Sequence, residues 1–333
     1  MNVAIIGCGL IGRKRALALG DARNDALRVV CDIDAGRMNS LAKEFRCEAE
    51  TSWEAVVRRR DVDIVCNAAI NSVLEPITLA ALKAGKHVLC EKPLGRNVAE
   101  AESMVRAAAE NGTILKTGFN HRYHPAIREA KRLYDEGRIG DCLTVRARYG
   151  HGSRPGMEKE WRSSKELCGG GELLDQGVHV IDLIRWFAGE IREVYGKAET
   201  LFWDINVEDN ALAILKTERG VRASFHVSWT NWRNVFSFEV SGTKGYLSVQ
   251  GLGGSYGPET LELGIRKAEG GRPDIQVFEY PGADESWSRE WADFRTAILE
   301  HREPLGSGND GLMANRVVEA LYRSSQTNCV VRL

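Results

Sequence analysis

Gly7-Cys8-Gly9-Leu10-Ile11-Gly12 stands directly after the apolar run Val3-Ala4-Ile5-Ile6 and just before Arg13 to Leu19, a stretch with helical character. Strand, glycine turn and helix in that order are what a dinucleotide-binding unit requires, and the glycine spacing decides little without them. Gly7 permits the tight turn, Gly9 lets the backbone approach a pyrophosphate, and Gly12 lets helix and strand pack closely. The same loop puts Leu10 and Ile11 at the helix N-terminus, where free N–H groups and a positive dipole end face the phosphates.

Such a fingerprint is completed by an acidic residue about twenty positions on, and Leu27-Arg28-Val29-Val30-Cys31 delivers Asp32 there. A carboxylate at that strand end accepts both ribose hydroxyls and repels a 2′-phosphate, so NAD is expected in preference to NADP. Ile33, Arg37, Ala68, Asn71, Glu91 and Lys92 are further candidates for the cofactor site. Arg37 and the run Arg13-Lys14-Arg15 leave NADP open, because an arginine can shield a 2′-phosphate. The competing reading makes Asp32 a helix cap and the glycines a simple turn.

From Met1 to about Gly118, strands near 2–6, 27–32, 63–68, 87–90 and 114–117 alternate with helices near 12–19, 35–45, 73–84 and 97–110. That alternation predicts a doubly wound parallel sheet. Pro76 is expected in the first turn of its helix, where a missing N–H costs little. After residue 120 the rhythm changes. A helix near 125–136 and a strand near 141–149 precede a Gly-rich loop over 150–171 and a helix near 175–188. Strands follow near 191–201, 209–216, 221–229, 234–240, 244–250, 258–265 and 275–280, and helices near 286–301 and 309–325 come last. The fold class is therefore α/β: a Rossmann domain over 1–120, then an α+β domain over 121–333 with a large, open, mostly antiparallel sheet. Ala211-Leu212-Ala213-Ile214-Leu215 is apolar on both strand faces, so both should be covered. A homo-oligomer, dimer or tetramer, formed through the C-terminal sheet would do this.

The chain has 333 residues, 43% of them hydrophobic, and a formal net charge of -1, with a pI near 6.7. This composition excludes fibrous classes and gives no attraction to nucleic acid. No apolar run reaches the roughly 18 residues needed to span a bilayer, so no membrane partner is expected. The eight cysteines form no C-x-x-C pair, which suits a reducing, cytoplasmic setting.

Lys92 follows the strand His87-Val88-Leu89-Cys90, at the carboxyl end of a parallel sheet where ligands of such folds bind. A salt bridge with Glu91 or a solvated position is its plainer reading. In the second domain, Gly169-Gly170-Gly171-Glu172-Leu173-Leu174-Asp175-Gln176-Gly177-Val178-His179-Val180-Ile181-Asp182 spaces Asp175, His179 and Asp182 at i, i+4 and i+7, on one face of a helix. A carboxylate one turn from an imidazole can fix its tautomer and support its charged form, as acid–base chemistry requires. The plainer reading is a helix cap and a core histidine. No further ligands at recognisable spacing support a metal, and none is expected.

The combination of GCGLIG, EKPL at 91–94, GFNHRYHP at 118–125 and GGGELLDQGVHVIDL at 169–183 resembles the glucose-fructose oxidoreductase / inositol dehydrogenase (Gfo/Idh/MocA) family over nearly the whole chain. The resemblance implies bound NAD(P), a sugar or cyclitol substrate and oxidoreduction at a CH–OH group. It implies that Lys92, Asp175 and His179 match the family's catalytic Lys, Asp and His, with Asn120 and Arg122 near the nicotinamide. Asn67-Ala68-Ala69-Ile70-Asn71 departs from the pattern, since many members carry a proline after that strand.

His179 is then expected to take the proton from a ring hydroxyl while Lys92 hydrogen-bonds the reacting oxygen; the alternative makes Lys92 the base. Tyr149, Arg154, Trp161, Arg162, Arg122, Asp175, His179 and Lys92 are the candidate substrate contacts. Arg154 and Arg162 lie on a loop that could clamp a nucleotide-linked or acidic sugar, or could simply be solvated. Alternatives to a dehydrogenase or reductase are a sugar oxidoreductase or redox-assisted lyase that recycles tightly bound NAD(P), and a non-catalytic NAD-binding regulator.

Overall fold

The computed structural model describes residues 1–20 and 25–333. Its described residues form two compact units. One comprises Met1–Phe119, Glu166–Gly169 and Trp287–Asn315; the other comprises Asn120–Lys165, Gly170–Ser286 and Arg316–Leu333.

The first unit is built on β1 (Asn2–Ile6), α1 (Leu10–Gly20), β2 (Ala26–Cys31), α2 (Ala35–Phe45), β3 (Glu48–Glu50), α3 (Trp53–Arg58), β4 (Ile64–Asn67), α4 (Asn71–Lys83), β5 (His87–Cys90), α5 (Val98–Glu110) and β6 (Leu115–Thr117). Its six strands run parallel in the order β3-β2-β1-β4-β5-β6, the doubly wound arrangement with its switch point beside β1. Because successive side chains leave opposite faces of a strand, β1 divides the core. Val3 and Ile5 join Ile64, Cys66 and Leu89 on one side, with Trp291, Phe294 and Ile298. Ala4 and Ile6 join Val65, Val88 and Cys90 on the other, with Leu74, Ile77 and Met104. Burial pushes the thiols of Cys8, Cys31, Cys66 and Cys90 up to about 12, so they pack as small apolar groups.

Two short elements, β3 and α3, escape the expected alternation. α4 begins at Asn71, two residues before the expected 73, so Pro76 sits in its second turn and not in the first.

The second unit contains α6 (Pro125–Asp135), β7 (Cys142–Gly150), α8 (Val178–Ala188), β8 (Ile191–Glu199), β9 (Asn210–Thr217), β10 (Arg222–Ser228), β11 (Val235–Gly242), β12 (Gly245–Gln250), β13 (Glu259–Ile265) and β14 (Asp274–Tyr280). The short helix α7 (Lys165–Cys168) precedes α8, and α9 (Ser286–Glu300), α10 (Gly308–Thr327) and β15 (Val331–Arg332) complete the chain. Nine strands lie in the order β14-β13-β12-β11-β7-β10-β9-β8-β15. All pairings are antiparallel except that of β7 with β10.

Helices α6 and α8 lie on this sheet, and Phe187 of α8 packs its ring 5.2 Å from that of Phe238. On β9, Ala211, Ala213 and Leu215 are buried, whereas Leu212 and Ile214 are 57% and 59% exposed in the single chain. The expected Gly-rich loop is partly ordered, with tight helical turns at Met157–Lys159 and Trp161–Ser163. No helix among the described residues is long and apolar enough to cross a membrane.

Candidate active site

The glycine turn has the geometry its spacing predicts. Gly7 has φ +96°, and a Cβ on it would lie 2.4 Å from the Ala68 carbonyl oxygen, while one on Gly12 would lie 1.8 Å from that of Gly7. Only glycine fits either position. A Cβ on Gly9 would meet nothing within 4 Å. Gly9 therefore leaves an open space beside the N-terminus of α1, where a pyrophosphate requires close backbone approach.

Asp32 accepts from the Cys8 N–H at 2.6 Å and from the Asp34 N–H at 2.8 Å. These bonds fix the carboxylate at the end of β2 and leave lone pairs for hydroxyl donors. The helix cap is instead Asp34, which accepts from Gly36 and Arg37. Leu10 at the start of α1 and Ile33 after β2 are 74% and 98% exposed, and such apolar surface suits a purine face. The Arg37 guanidinium pairs with Asp34 at 3.2 Å.

The turn after β5 is held by the Glu91 N–H, which donates to the Asn67 carbonyl at 2.9 Å. Asn67 is fully buried and donates in turn to Leu74 O and Thr78 Oγ1, both at 3.0 Å. Lys92 is half-buried at the end of this turn. Asn71 donates its side-chain amide to the Cys168 carbonyl at 2.9 Å.

In the second unit the segment before α8 departs from the single helix expected over 175–188. Leu173–Gly177 forms a π-helical turn, and α8 begins only at Val178. The expected i, i+4, i+7 spacing of Asp175, His179 and Asp182 therefore spans a π-helical turn and the start of α8, not one regular helix. The Asp182 carboxylate is buried and forked by Arg122, with Nε at 2.7 Å and Nη2 at 2.5 Å. Asp175 lies half-buried, 3.8 Å from Arg162 Nε.

The π-helical turn is anchored by Glu208, which accepts from the Leu173 N–H at 3.1 Å and from the Tyr322 hydroxyl at 2.7 Å. Burial pushes the Glu208 carboxyl up from its ordinary value. Its backbone oxygen accepts from Glu172 at 2.9 Å and would lie 1.9 Å from any Cβ on Gly171. That contact gives the glycine run its structural reason.

His179 is buried, and the His121 ring stacks on it with centroids 3.7 Å apart and planes at 20°. Tyr149 lies 5.1 Å from His121 and 6.4 Å from His179. Tyr256 stands 5.0 Å from Tyr149 and accepts from the Gln176 amide at 3.1 Å. Burial holds the Tyr149 phenol well above its ordinary range and that of Tyr256 at about 12, so both are neutral hydrogen-bonding groups at physiological pH. Asn120 donates to Ser286 Oγ at 2.9 Å, and its oxygen is 3.2 Å from His121 Nδ1. The result is a buried wall of imidazole and phenol with polar tips, suited to a polyhydroxylated ligand.

Thus Gly7, Gly9, Gly12, Asp32 and Ile33 cluster in the first unit, and Tyr149, Asp175, His179 and Arg162 in the second. Arg154 is exposed and paired with Glu160 at 2.7 Å, while the Arg162 guanidinium stacks 4.4 Å over Trp161. His121, Gln176, Glu208 and Tyr256 escaped the sequence reading. His121 and Gln176 lie inside motifs already quoted, whereas nothing local distinguishes Tyr256 or Glu208.

The family model described as the oxidoreductase family, NAD-binding Rossmann fold, matches residues 1–119, and the GFO/IDH/MocA C-terminal domain matches residues 127–248. A 1,5-anhydro-D-fructose reductase of Ensifer adhaerens is 30% identical over 326 residues, covering 97% of this chain and 96% of the relative. An inositol 2-dehydrogenase of Salmonella typhimurium is 25% identical, covering 98% of this chain and 95% of its own. A levoglucosan dehydrogenase solved with NADH and levoglucosan shares the fold, with TM-score 0.91, 24% identity and coverage of 100% and 99%.

Proposed function

The chain belongs to the Gfo/Idh/MocA family of NAD-binding oxidoreductases, and on that premise we propose that it moves hydride between nicotinamide and a secondary alcohol or ketone of a sugar, sugar derivative or cyclitol. The observation that carries this reading is the buried His179, stacked on His121 beside Tyr149. An imidazole held in a buried wall of rings is suited to act as a general base or acid. The full-length similarity to a sugar reductase and an inositol dehydrogenase favours a polyol substrate.

NAD supplies the hydride acceptor or donor when bound. In the oxidative direction His179 takes the hydroxyl proton, and Lys92 donates a hydrogen bond to the reacting oxygen as negative charge develops there. Asp175 contributes a second polar contact to the sugar. Arg122, fixed by Asp182, is a rigid cation assigned to the nicotinamide side. Asp32 selects NAD over NADP by accepting the ribose hydroxyls and repelling a 2′-phosphate. Arg162, on its aromatic partner Trp161, favours a substrate with an acidic appendage. The eight free cysteines suit a reducing cytoplasm, and the exposed Leu212 and Ile214 suit assembly through the C-terminal sheet.

The test is NADH formation, followed by fluorescence, across a panel of aldoses, inositols, uronic acids and nucleotide-sugars. The reading predicts turnover with one such class. No turnover with any member of the panel would contradict it.

A further inference from the structure

Arg15 lies one and a half turns into α1, about 7 Å along the helix from its start at the rise of an α-helix, and it is only 2% exposed. Its Nε and Nη2 meet Glu91 Oε1 at 2.7 and 2.5 Å, and its Nη1 meets Glu290 Oε2 at 2.5 Å. Lys116 of β6, fully buried, lies 3.4 Å from the other oxygen of Glu290. Two cations and two carboxylates are thus removed from water together, with no net charge.

Buried ion pairs of this kind contribute little to stability, because desolvation offsets attraction, and apolar residues of similar volume do as well. What a guanidinium spanning two carboxylates supplies is geometry. The geometry here converges on the residue next to Lys92. The second oxygen of Glu91 is 3.3 Å from the Lys92 N–H. A Cβ on Gly118 would fall 2.8 Å from both that oxygen and Arg15 Nη2, so the backbone just after β6 packs close against the pair.

We infer that the Arg15–Glu91 pair is a positioning device, tying the helix whose N-terminus meets the cofactor phosphates to the turn that aims Lys92. Arg15 and Glu91 act through Lys92 and are positioning residues. This rests on the catalytic reading of Lys92. A shift of about 1 Å in such a group can cost a hundredfold in rate.

The test is a cycle of Glu91→Gln and Lys92→Ala, with turnover and the NADH dissociation constant measured for each folded protein. Glu91→Gln is expected to lower kcat by about 10- to 100-fold while the NADH dissociation constant stays within about threefold. In the Lys92→Ala background the same change is expected to alter residual turnover by less than about threefold, because residues acting as one unit are not additive. An equal loss in both backgrounds would make the network merely structural and overturn the inference. So would a weakening of NADH binding that matches the loss of turnover, or a Glu91→Gln protein with wild-type kcat. Wild-type turnover in Lys92→Ala would instead overturn the catalytic reading itself. Should Glu91→Gln fail to fold, Arg15→Lys, which keeps the charge and loses the fork, puts the same question, and its failure to separate the two backgrounds would count equally against the inference.

Discussion

Asp32 shows how much a single carboxylate can decide. Two backbone N–H groups fix its orientation, so in the proposed role it would meet a nucleotide without reorganising. Replacing it by serine removes the charge that repels a 2′-phosphate and weakens the acceptor for the ribose. A charged hydrogen bond of about 1.5–3 kcal/mol corresponds to roughly 10- to 100-fold in affinity. Asp32→Ser should raise the KM for NAD by that factor and improve use of NADP, as steady-state kinetics with both cofactors will show. An unchanged preference would remove Asp32 from the site. Its position was legible in the sequence because a strand end and a glycine turn are local patterns. The Arg122–Asp182 fork was not, because it joins residues sixty positions apart that no spacing rule connects.

Among the elements, the strands with alternating or continuous apolar runs were readable to within a few residues, and the short β3, α3 and β15 were not. β3 is Glu48-Ala49-Glu50 and shows no apolar pattern at all. The π-helical turn at Leu173–Gly177 was equally hidden, since one extra residue per turn leaves no mark in composition. What imposes it is tertiary: Glu208, Tyr322 and the close approach at Gly171.

The connection between β8 and β9 is clamped in a similar way. Asp209 accepts from the backbone N–H groups of Leu201, Phe202 and Trp203 at 2.8, 2.9 and 2.9 Å, and from Asn210 Nδ2 at 2.9 Å. Burial alone would raise its pKa, but these donors outweigh it and hold the carboxyl below its ordinary value. A carboxyl depressed in the folded state stabilises the fold above the unfolded value, near 4, and that contribution is lost as pH falls through the folded value. Asp209→Asn should therefore cost about 1–3 kcal/mol at pH 7, with the gap to wild type closing below about pH 4. Urea unfolding across that range measures it, and a gap independent of pH would contradict the clamp.

For the whole molecule, the change of rhythm near residue 120 was the legible feature, whereas the membership of Glu166–Gly169 and Trp287–Asn315 in the first compact unit leaves no mark in the local pattern. Leu212 and Ile214 remain more than half exposed on the large sheet, where the proposed assembly through this sheet would cover them. Leu212→Glu with Ile214→Lys should shift the protein to a smaller species in light scattering while the secondary structure persists. An unchanged mass would place any interface elsewhere.

The claim that His179 moves the proton is met most directly by the turnover of His179→Ala, measured beside its NADH dissociation constant on the best substrate of the polyol panel. The account predicts a fall in kcat of about 100- to 10,000-fold with NADH binding within about threefold of wild type. A kcat near that of wild type would contradict it.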